Sequence, residues 1–128
     1  GMGGNAGTQT LTIMVRGLAL GELNFKNMKK VFFKEIGVGV VTGVVIGFII
    51  GVLGYIWEGN FMFGIIISVA MLLNMIVATI TGYLVPVVLK KFKVDPALAS
   101  SIFVTTFTDV LGFFFFLGLA TLLIQYLM

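Results

Sequence analysis

Long apolar segments separated by short polar ones fill the chain from residue 36 onward. Residues 36–57, 61–89 and 97–127 are each largely apolar, and each reaches the length of about 20 residues that a transmembrane helix needs. The breaks between them are Glu58-Gly59-Asn60 and a basic segment, 90–93. Asp95 and Pro96 fit the N-cap and first position of a helix. The pattern therefore predicts three membrane-spanning helices.

Two shorter segments precede these spans. Residues 1–23 are small and polar at first, then apolar, and are too short to cross a membrane alone. We expect them to be the tail of a truncated helix. Residues 24–35 form a basic amphipathic pattern, which predicts a helix on the cytoplasmic membrane surface, with a solvated linker helix as the alternative. Its apolar face has Phe25, Met28 and Phe32, and its basic face has Lys26, Lys30 and Lys34.

Composition supports a membrane protein and excludes several function classes. The chain is 59% hydrophobic and 10% charged, whereas soluble domains carry roughly 25% charged residues. We therefore expect a single all-α transmembrane domain, 1–128, in a lipid bilayer. Without cysteine or histidine, it lacks disulfides, thiolate metal sites and the usual zinc ligands. No nucleophile–base pair or nucleotide loop indicates an enzyme. The net charge of +3 comes from lysines beside apolar segments, which does not indicate nucleic-acid binding.

The basic residues also predict how the chain crosses the membrane. Lysines and one arginine precede the first span and lysines separate the second from the third, whereas the 58–60 loop has neither. The positive-inside rule then places both basic segments in the cytoplasm and the C-terminus outside. Tyr55, Trp57 and Tyr126 all fall at the outer interface in this orientation, where aromatic residues are enriched.

Asp109 is the only formally charged side chain in 97–127. In a helix beginning at Pro96 it lies roughly 20 Å along the axis, close to the middle of a hydrocarbon core about 30 Å thick. Inserting a carboxylate there costs about 2.5 kcal/mol or more, so the residue indicates a functional site. Ser101, Thr105 and Gly112 lie within a quarter-turn of Asp109. Together they predict a polar stripe that faces water or protein.

The chemistry available to Asp109 favours a cation as its partner. No histidine, lysine or arginine is expected at its depth, and the surrounding ligands are oxygen atoms, which suit Mg²⁺, Ca²⁺ or Mn²⁺. Two chains meeting at a two-fold axis would supply two carboxylates. Two alternatives stay open. Asp109 could be a proton relay in a proton- or Na⁺-coupled secondary transporter, or it could only fix helix packing in a membrane scaffold.

Two further patterns have a structural and a functional interpretation. Gly39, Gly43, Gly47 and Gly51 recur every four residues in the first span, which predicts close helix packing, with pore lining as the alternative. Asn74 is a polar residue at membrane depth in the second span. A polar side chain at this position favours an interhelical hydrogen bond, with a role in transport as the alternative.

Several motifs together resemble the MgtE-type magnesium transporter/channel family. They are GNAGTQ at 4–9, RGLALGE at 16–22, KEIGVG at 34–39, VDPA at 94–97 and TFTDVLG at 106–112. They occur in the family's order and spacing over nearly the whole chain. The resemblance implies that this sequence is the C-terminal part of a transmembrane domain, and we expect it to lack the family's first span, most of its second, and its cytoplasmic N-terminal and CBS regulatory domains.

The resemblance also implies a function and a site. It implies a homodimer in the cell (inner or plasma) membrane, with five spans per complete chain and an ion pore along the dimer axis. Asp109 matches the pore aspartate that binds hydrated Mg²⁺, while Thr105 and Ser101 match pore-facing positions. Asn5 and Thr8 match positions near the pore on an earlier helix. The transported ion is then Mg²⁺, with Mn²⁺ and Co²⁺ as further candidates.

Overall fold

The computed structural model describes residues 2–21 and 27–127, and this part of the chain is helical with no strand. The helices are α1 (Met2–Ala19), α2 (Met28–Glu58), α3 (Phe61–Lys91), α4 (Pro96–Leu122) and the short α5 (Ile124–Leu127). The predicted all-α fold is therefore confirmed. As the sequence predicts, α4 begins at Pro96, a residue that fits the first helical turn because its missing N–H would have no helical partner there.

Three helices in the described residues are long and apolar enough to cross a membrane: Met28–Glu58, Phe61–Lys91 and Ser101–Leu122. They correspond to the three predicted spans. Most of their side chains are not buried by the chain itself, and large apolar residues such as Phe48 and Ile56 are exposed. Such a surface requires an apolar solvent. The chain is thus a multi-pass membrane protein that lies in a lipid bilayer.

The observed helix ends differ from the predicted ones in two places. Residues 28–35 are the first turns of α2 and not a separate helix, because neither Pro nor a capping residue interrupts the chain before residue 36. The rest of the amphipathic segment, including Phe25 and Lys26, lies outside the described residues. At the other end, α4 stops at Leu122 and α5 follows, whereas one helix was predicted to 127.

A tight turn joins α2 to α3, and its two central residues explain it. Gly59 has φ +71°, and its N–H donates to the Tyr55 carbonyl at 2.8 Å, closing α2 in a conformation that costs glycine little. The Asn60 side-chain oxygen then accepts hydrogen bonds from the N–H groups of Met62, at 2.9 Å, and Phe63, at 3.4 Å. This N-cap starts α3 at once, so the two helices run antiparallel.

The α3 helix is the centre of the fold. It packs against α1, α2 and α4, and α1 also packs against α4. Within the described part of the chain, α1 and α2 make little backbone contact with each other. The predicted tail helix is thus an 18-residue helix whose buried face follows α3 and α4. The most deeply buried apolar side chains lie along these contacts: Met14, Ile66, Met75, Ala78 and Val104.

Candidate functional site

Asp109 lies beside a cavity of about 230 Å³ between α3 and α4. Asn74 and Thr108 supply the other polar side chains of this cavity, and Gly112 also lines it. Asp109 itself is exposed on the surface of the single chain. The remaining lining is apolar and consists of Ile67, Ala70, Met71, Phe113 and Phe116. The cavity therefore combines one carboxylate, one amide and one hydroxyl in apolar surroundings.

Two glycines position Asn74 where α1, α3 and α4 converge. A methyl group at Gly3 of α1 would overlap the Asn74 amide, and a Cβ at Gly112 of α4 would lie 3.1 Å from its Nδ2 atom. Both neighbouring helices therefore approach Asn74 as closely as their backbones permit. The Oδ1 atom of Asn74 is buried and accepts no hydrogen bond from the residues that the structure describes. An acceptor left in this state costs about 1–3 kcal/mol.

The cavity is close to the middle of the helices that form it. Asp109 is about 20 Å along α4 from Pro96, and Asn74 is about 20 Å along α3 from Phe61. These helices run in opposite directions, so the two distances start from opposite ends of the bundle. A carboxylate and an amide thus lie level with each other near the middle of the two helices.

The polar groups at this site do not form a complete metal cage within one chain. In the described ranges, no three His, Cys, Asp or Glu side chains are close enough to hold an ion together. The Thr108 hydroxyl is buried and donates to the Thr105 carbonyl at 3.0 Å. The site can therefore offer one carboxylate and one amide oxygen. The remaining ligands of a Mg²⁺ ion would be water molecules or oxygen atoms of a second copy of the chain.

The other predicted ion-pathway residues of α4 lie near the site but not in its cavity. Ser101 and Thr105 are exposed and line a separate shallow cavity on the surface of α4. By helical spacing they share a side of α4 with Asp109 and Gly112. The structure thus brings Gly112 into the Asp109 cavity and leaves Ser101 and Thr105 farther along the same stripe.

The two predicted residues of α1 lie elsewhere. Thr8 is exposed, and its hydroxyl donates to the Gly4 carbonyl at 2.8 Å. Asn5 lines a different cavity, formed by α1, α2 and α3. Neither residue lines the Asp109 cavity. The part of α1 that approaches α4 consists of small residues instead, since a Cβ at Gly4 would lie 3.7 Å from the Thr108 hydroxyl oxygen.

The glycine stripe of α2 is buried, and α3 lies directly against its four residues: Gly39, Gly43, Gly47 and Gly51. A Cβ at Gly51 would lie 2.9 Å from the Gly64 carbonyl oxygen. The Ser68 hydroxyl donates across the interface to the Gly47 carbonyl at 2.8 Å. This is the geometry of close helix packing with an interhelical hydrogen bond.

Sequence reasoning missed Glu35 as a site residue. Its side chain is only 6% exposed and accepts a hydrogen bond from the Thr10 hydroxyl at 3.3 Å. Glu35 lines the same cavity as Asn5. A signal was present in the sequence, because Glu35 precedes Gly39 by four residues and continues the glycine stripe toward the start of α2. A carboxylate on a helix face that packs against a neighbour is expected to be buried.

Comparison with known proteins agrees with the family that the motifs suggest. A family model described as MgtE, divalent cation transporter, matches residues 1–119. The chain is 37% identical over 125 residues to the magnesium transporter MgtE of Bacillus subtilis. It is 36% identical over 126 residues to that of Enterococcus faecalis and 35% identical over 125 residues to that of Thermus thermophilus.

These alignments cover 98% of the chain, and the chain spans 28% of the length of each relative. The family match covers nearly all of the sequence, including the α1 motifs, the glycine stripe of α2 and the segment around Asp109. This chain is therefore a member of the MgtE family of divalent cation transporters.

Proposed function

We propose that this chain forms part of a membrane pathway for divalent cations, with Mg²⁺ as the principal ion and Asp109 as its binding residue. The observation that carries the proposal is that Asp109 and Asn74 line one cavity near the middle of α3 and α4 in a chain of the MgtE family. Oxygen ligands suit Mg²⁺, which keeps several waters and needs only one or two carboxylates. Mn²⁺ and Co²⁺ are candidate competitors.

A homodimer completes the proposed site. Asp109 is exposed on a single chain, and a carboxylate facing acyl chains would be costly. A second copy related by a two-fold axis would place another carboxylate opposite the first. Ser101, Thr105 and Gly112 would then line the ion pathway along the axis, with Asn5 and Thr8 on α1 nearby. Where cytoplasmic regulatory domains accompany the chain, they would control this pathway.

The proposed orientation places the start of α2 and the α3–α4 connection in the cytoplasm and the C-terminus outside. Lys90, Lys91 and Lys93 lie at the α3–α4 connection. Trp57 lies near the C-terminal end of α2, on the proposed outer side, and is 86% exposed. Negative-inside membrane potential would then draw Mg²⁺ from the C-terminal side toward the lysine-rich side, with about 2.3 kcal/mol per elementary charge for each 100 mV.

Ion flux tests the proposal directly. The chain is reconstituted into vesicles that contain a Mg²⁺-sensitive dye, and entry is followed after Mg²⁺ is added outside. We expect flux in the unmodified chain, a loss of at least tenfold in Asp109→Asn, and no change in Glu58→Gln, which alters an exposed carboxylate at the end of α2. Flux that persists in Asp109→Asn would refute the assigned role. If a pH gradient drives ion movement across the vesicle membrane and no net Mg²⁺ enters, the result would support the proton-relay alternative instead.

Disulfide formation tests the dimer axis. The chain has no cysteine, so one introduced cysteine reports on its own position. Thr105→Cys should cross-link two copies under mild oxidation, because residues beside a two-fold axis face each other and thermal motion can bring their Cα atoms to the roughly 4.4–6.8 Å that a disulfide requires. Phe103→Cys is the matched control, since Phe103 is also exposed but lies on the far side of α4. Equal cross-linking of both variants, or of neither, would argue against an axis beside Asp109.

A further inference from the structure

Glu35 forms no ion pair with the residues that the structure describes. Its one hydrogen bond there, from the Thr10 hydroxyl, is 3.3 Å long, whereas O–H···O bonds are typically about 2.7–2.8 Å. Removing an ion from water costs several kcal/mol even after the protein relaxes. A single long hydrogen bond does not offset that cost. The burial of Glu35 therefore calls for a further partner of positive charge.

The cavity that Glu35 lines has room for such a partner. Its volume is about 320 Å³, and six waters occupy roughly 180 Å³ at their share of liquid volume. A divalent cation with its inner shell of water therefore fits. Beyond Glu35, five side chains with oxygen atoms line the cavity: Asn5, Gln9, Thr10, Thr42 and Thr79. Carboxylate, hydroxyl, amide and water oxygens are the ligands that Mg²⁺ and Ca²⁺ take.

Lys34 is the other formally charged side chain among the residues that line this cavity. It is exposed, unlike Glu35, so its long side chain can hold the ammonium group in water at the rim. Its charge would oppose a bound cation, and we expect it to weaken binding. Weak binding suits a station through which an ion passes, because an ion must also leave.

The Glu35 cavity shares no lining residue with the Asp109 cavity, and Glu35 lies at another depth than Asp109. Glu35 is about 10 Å along α2 from Met28. The contacts of α3 give the same order: Asn74 meets Gly3 of α1, whereas Gly82, two turns farther along α3, meets Thr10. In the proposed orientation, Glu35 therefore lies nearer to the cytoplasm than Asp109.

We propose that the Glu35 cavity is a second binding station for a hydrated divalent cation, on the cytoplasmic side of the Asp109 site. The identity of the ion and the direction of its travel rest on the proposed function, while the cavity and its buried carboxylate do not. The station would hold its ion among Glu35, the hydroxyls of Thr10 and Thr42, and the amide of Asn5.

Two methionines allow the stations to be observed separately. Met75 lines the Glu35 cavity and Met71 lines the Asp109 cavity. The full chain, labelled with ¹³C at the methionine methyl groups, is titrated with MgCl₂ in detergent and followed by NMR. We expect a saturable Met75 shift that is lost in Glu35→Gln and kept in Asp109→Asn. Glu58→Gln is the control and should leave both methyl titrations unchanged.

The two methyl titrations test the two proposed sites separately. A Met75 response without a Met71 response would support the Glu35 station and count against ion binding at Asp109. A Met71 response without a Met75 response would support Asp109 and count against the Glu35 station. The Glu35 station is overturned if Met75 ignores Mg²⁺ in the unmodified chain, if its shift follows pH alone, or if its response survives in Glu35→Gln.

A second pair of variants covers the case in which Glu35→Gln does not fold, as shown by loss of helical circular dichroism. Lys34→Met removes the opposing charge at the rim and should lower the Mg²⁺ midpoint at Met75 on the order of fivefold. Thr42→Val removes one oxygen and should raise the midpoint. Unchanged midpoints in both variants would overturn the proposal.

Discussion

The contact between α1 and α3 at Gly82 gives a prediction whose size follows from the structure. A Cβ at Gly82 would lie 2.6 Å from the Gly7 carbonyl oxygen, 3.0 Å from the Thr10 Cβ and 3.3 Å from the Leu11 nitrogen. Two of these atoms belong to the backbone and the third is fixed to it. No side-chain rotation relieves the overlap, so Gly82→Ala requires α1 to move away from α3.

The required movement sets the expected cost. Non-bonded heavy atoms are comfortable at about 3.5 Å, so α1 must move by roughly 0.9 Å. Such overpacking typically costs about 1–3 kcal/mol. Alanine also stabilises a helix relative to glycine by up to about 1 kcal/mol, and this gain is shared by Gly37→Ala, where a Cβ would meet nothing within 4 Å. The difference between the two variants therefore isolates the overlap.

The comparison is made by reversible unfolding in mixed micelles, with SDS as the denaturant and helical circular dichroism as the signal. We expect Gly82→Ala to unfold with a free energy about 1–3 kcal/mol below that of Gly37→Ala. The Thr10–Glu35 hydrogen bond should also be lost, since it is already 3.3 Å long. Equal unfolding free energies for the two variants would refute the close approach of α1 to α3.

Three further substitutions test other contacts. Asn60→Ala removes the cap that accepts from the Met62 N–H and should lower the unfolding free energy by about 1 kcal/mol, whereas Asn60→Asp should retain most of it. Ser68→Ala removes the bond to the Gly47 carbonyl and should cost about 0.6 kcal/mol in the same assay. Asn74→Ala removes a buried acceptor that lacks a partner in the described residues. It should therefore cost less stability than Gly82→Ala but lower Mg²⁺ flux at least tenfold, and unchanged flux would exclude Asn74 from the pathway.

Features that depend on neighbouring residues in the sequence could be predicted. The length of the apolar segments gave the three spans, because a bilayer imposes a minimum helix length. Pro96 gave the start of α4, and Gly59 with Asn60 marked the break between α2 and α3. The continuous helix from Met28 was not predicted, because the change from basic to apolar composition near residue 36 resembles a structural boundary. The composition of the chain changes near residue 36, whereas its helical backbone continues through that position.

Features that depend on which helices are neighbours could not be predicted to the same extent. Helical spacing showed that Asp109 shares a side of α4 with Gly112, yet it gave no information about Asn74 of α3, which lines the same cavity. Asn5 was assigned to the ion pathway by resemblance, and the sequence did not show that it lines a cavity together with Glu35. Glu35 itself was overlooked, although it continues the glycine stripe of α2, because the sequence does not show that Thr10 of α1 lies beside it.

Pro86 gives α3 a local weakness that bears on how the bundle can move. Proline has no N–H, so the carbonyl of Gly82, one turn earlier, loses the donor it would have in a regular helix. Bending α3 at Pro86 therefore breaks one backbone hydrogen bond fewer than bending it at another position. The close contacts of α1 with α3, at Asn74 and Gly82, both precede Pro86, so a bend there would move the lysine-bearing end of α3 relative to α1. The helix that holds the bundle together thus contains its own hinge.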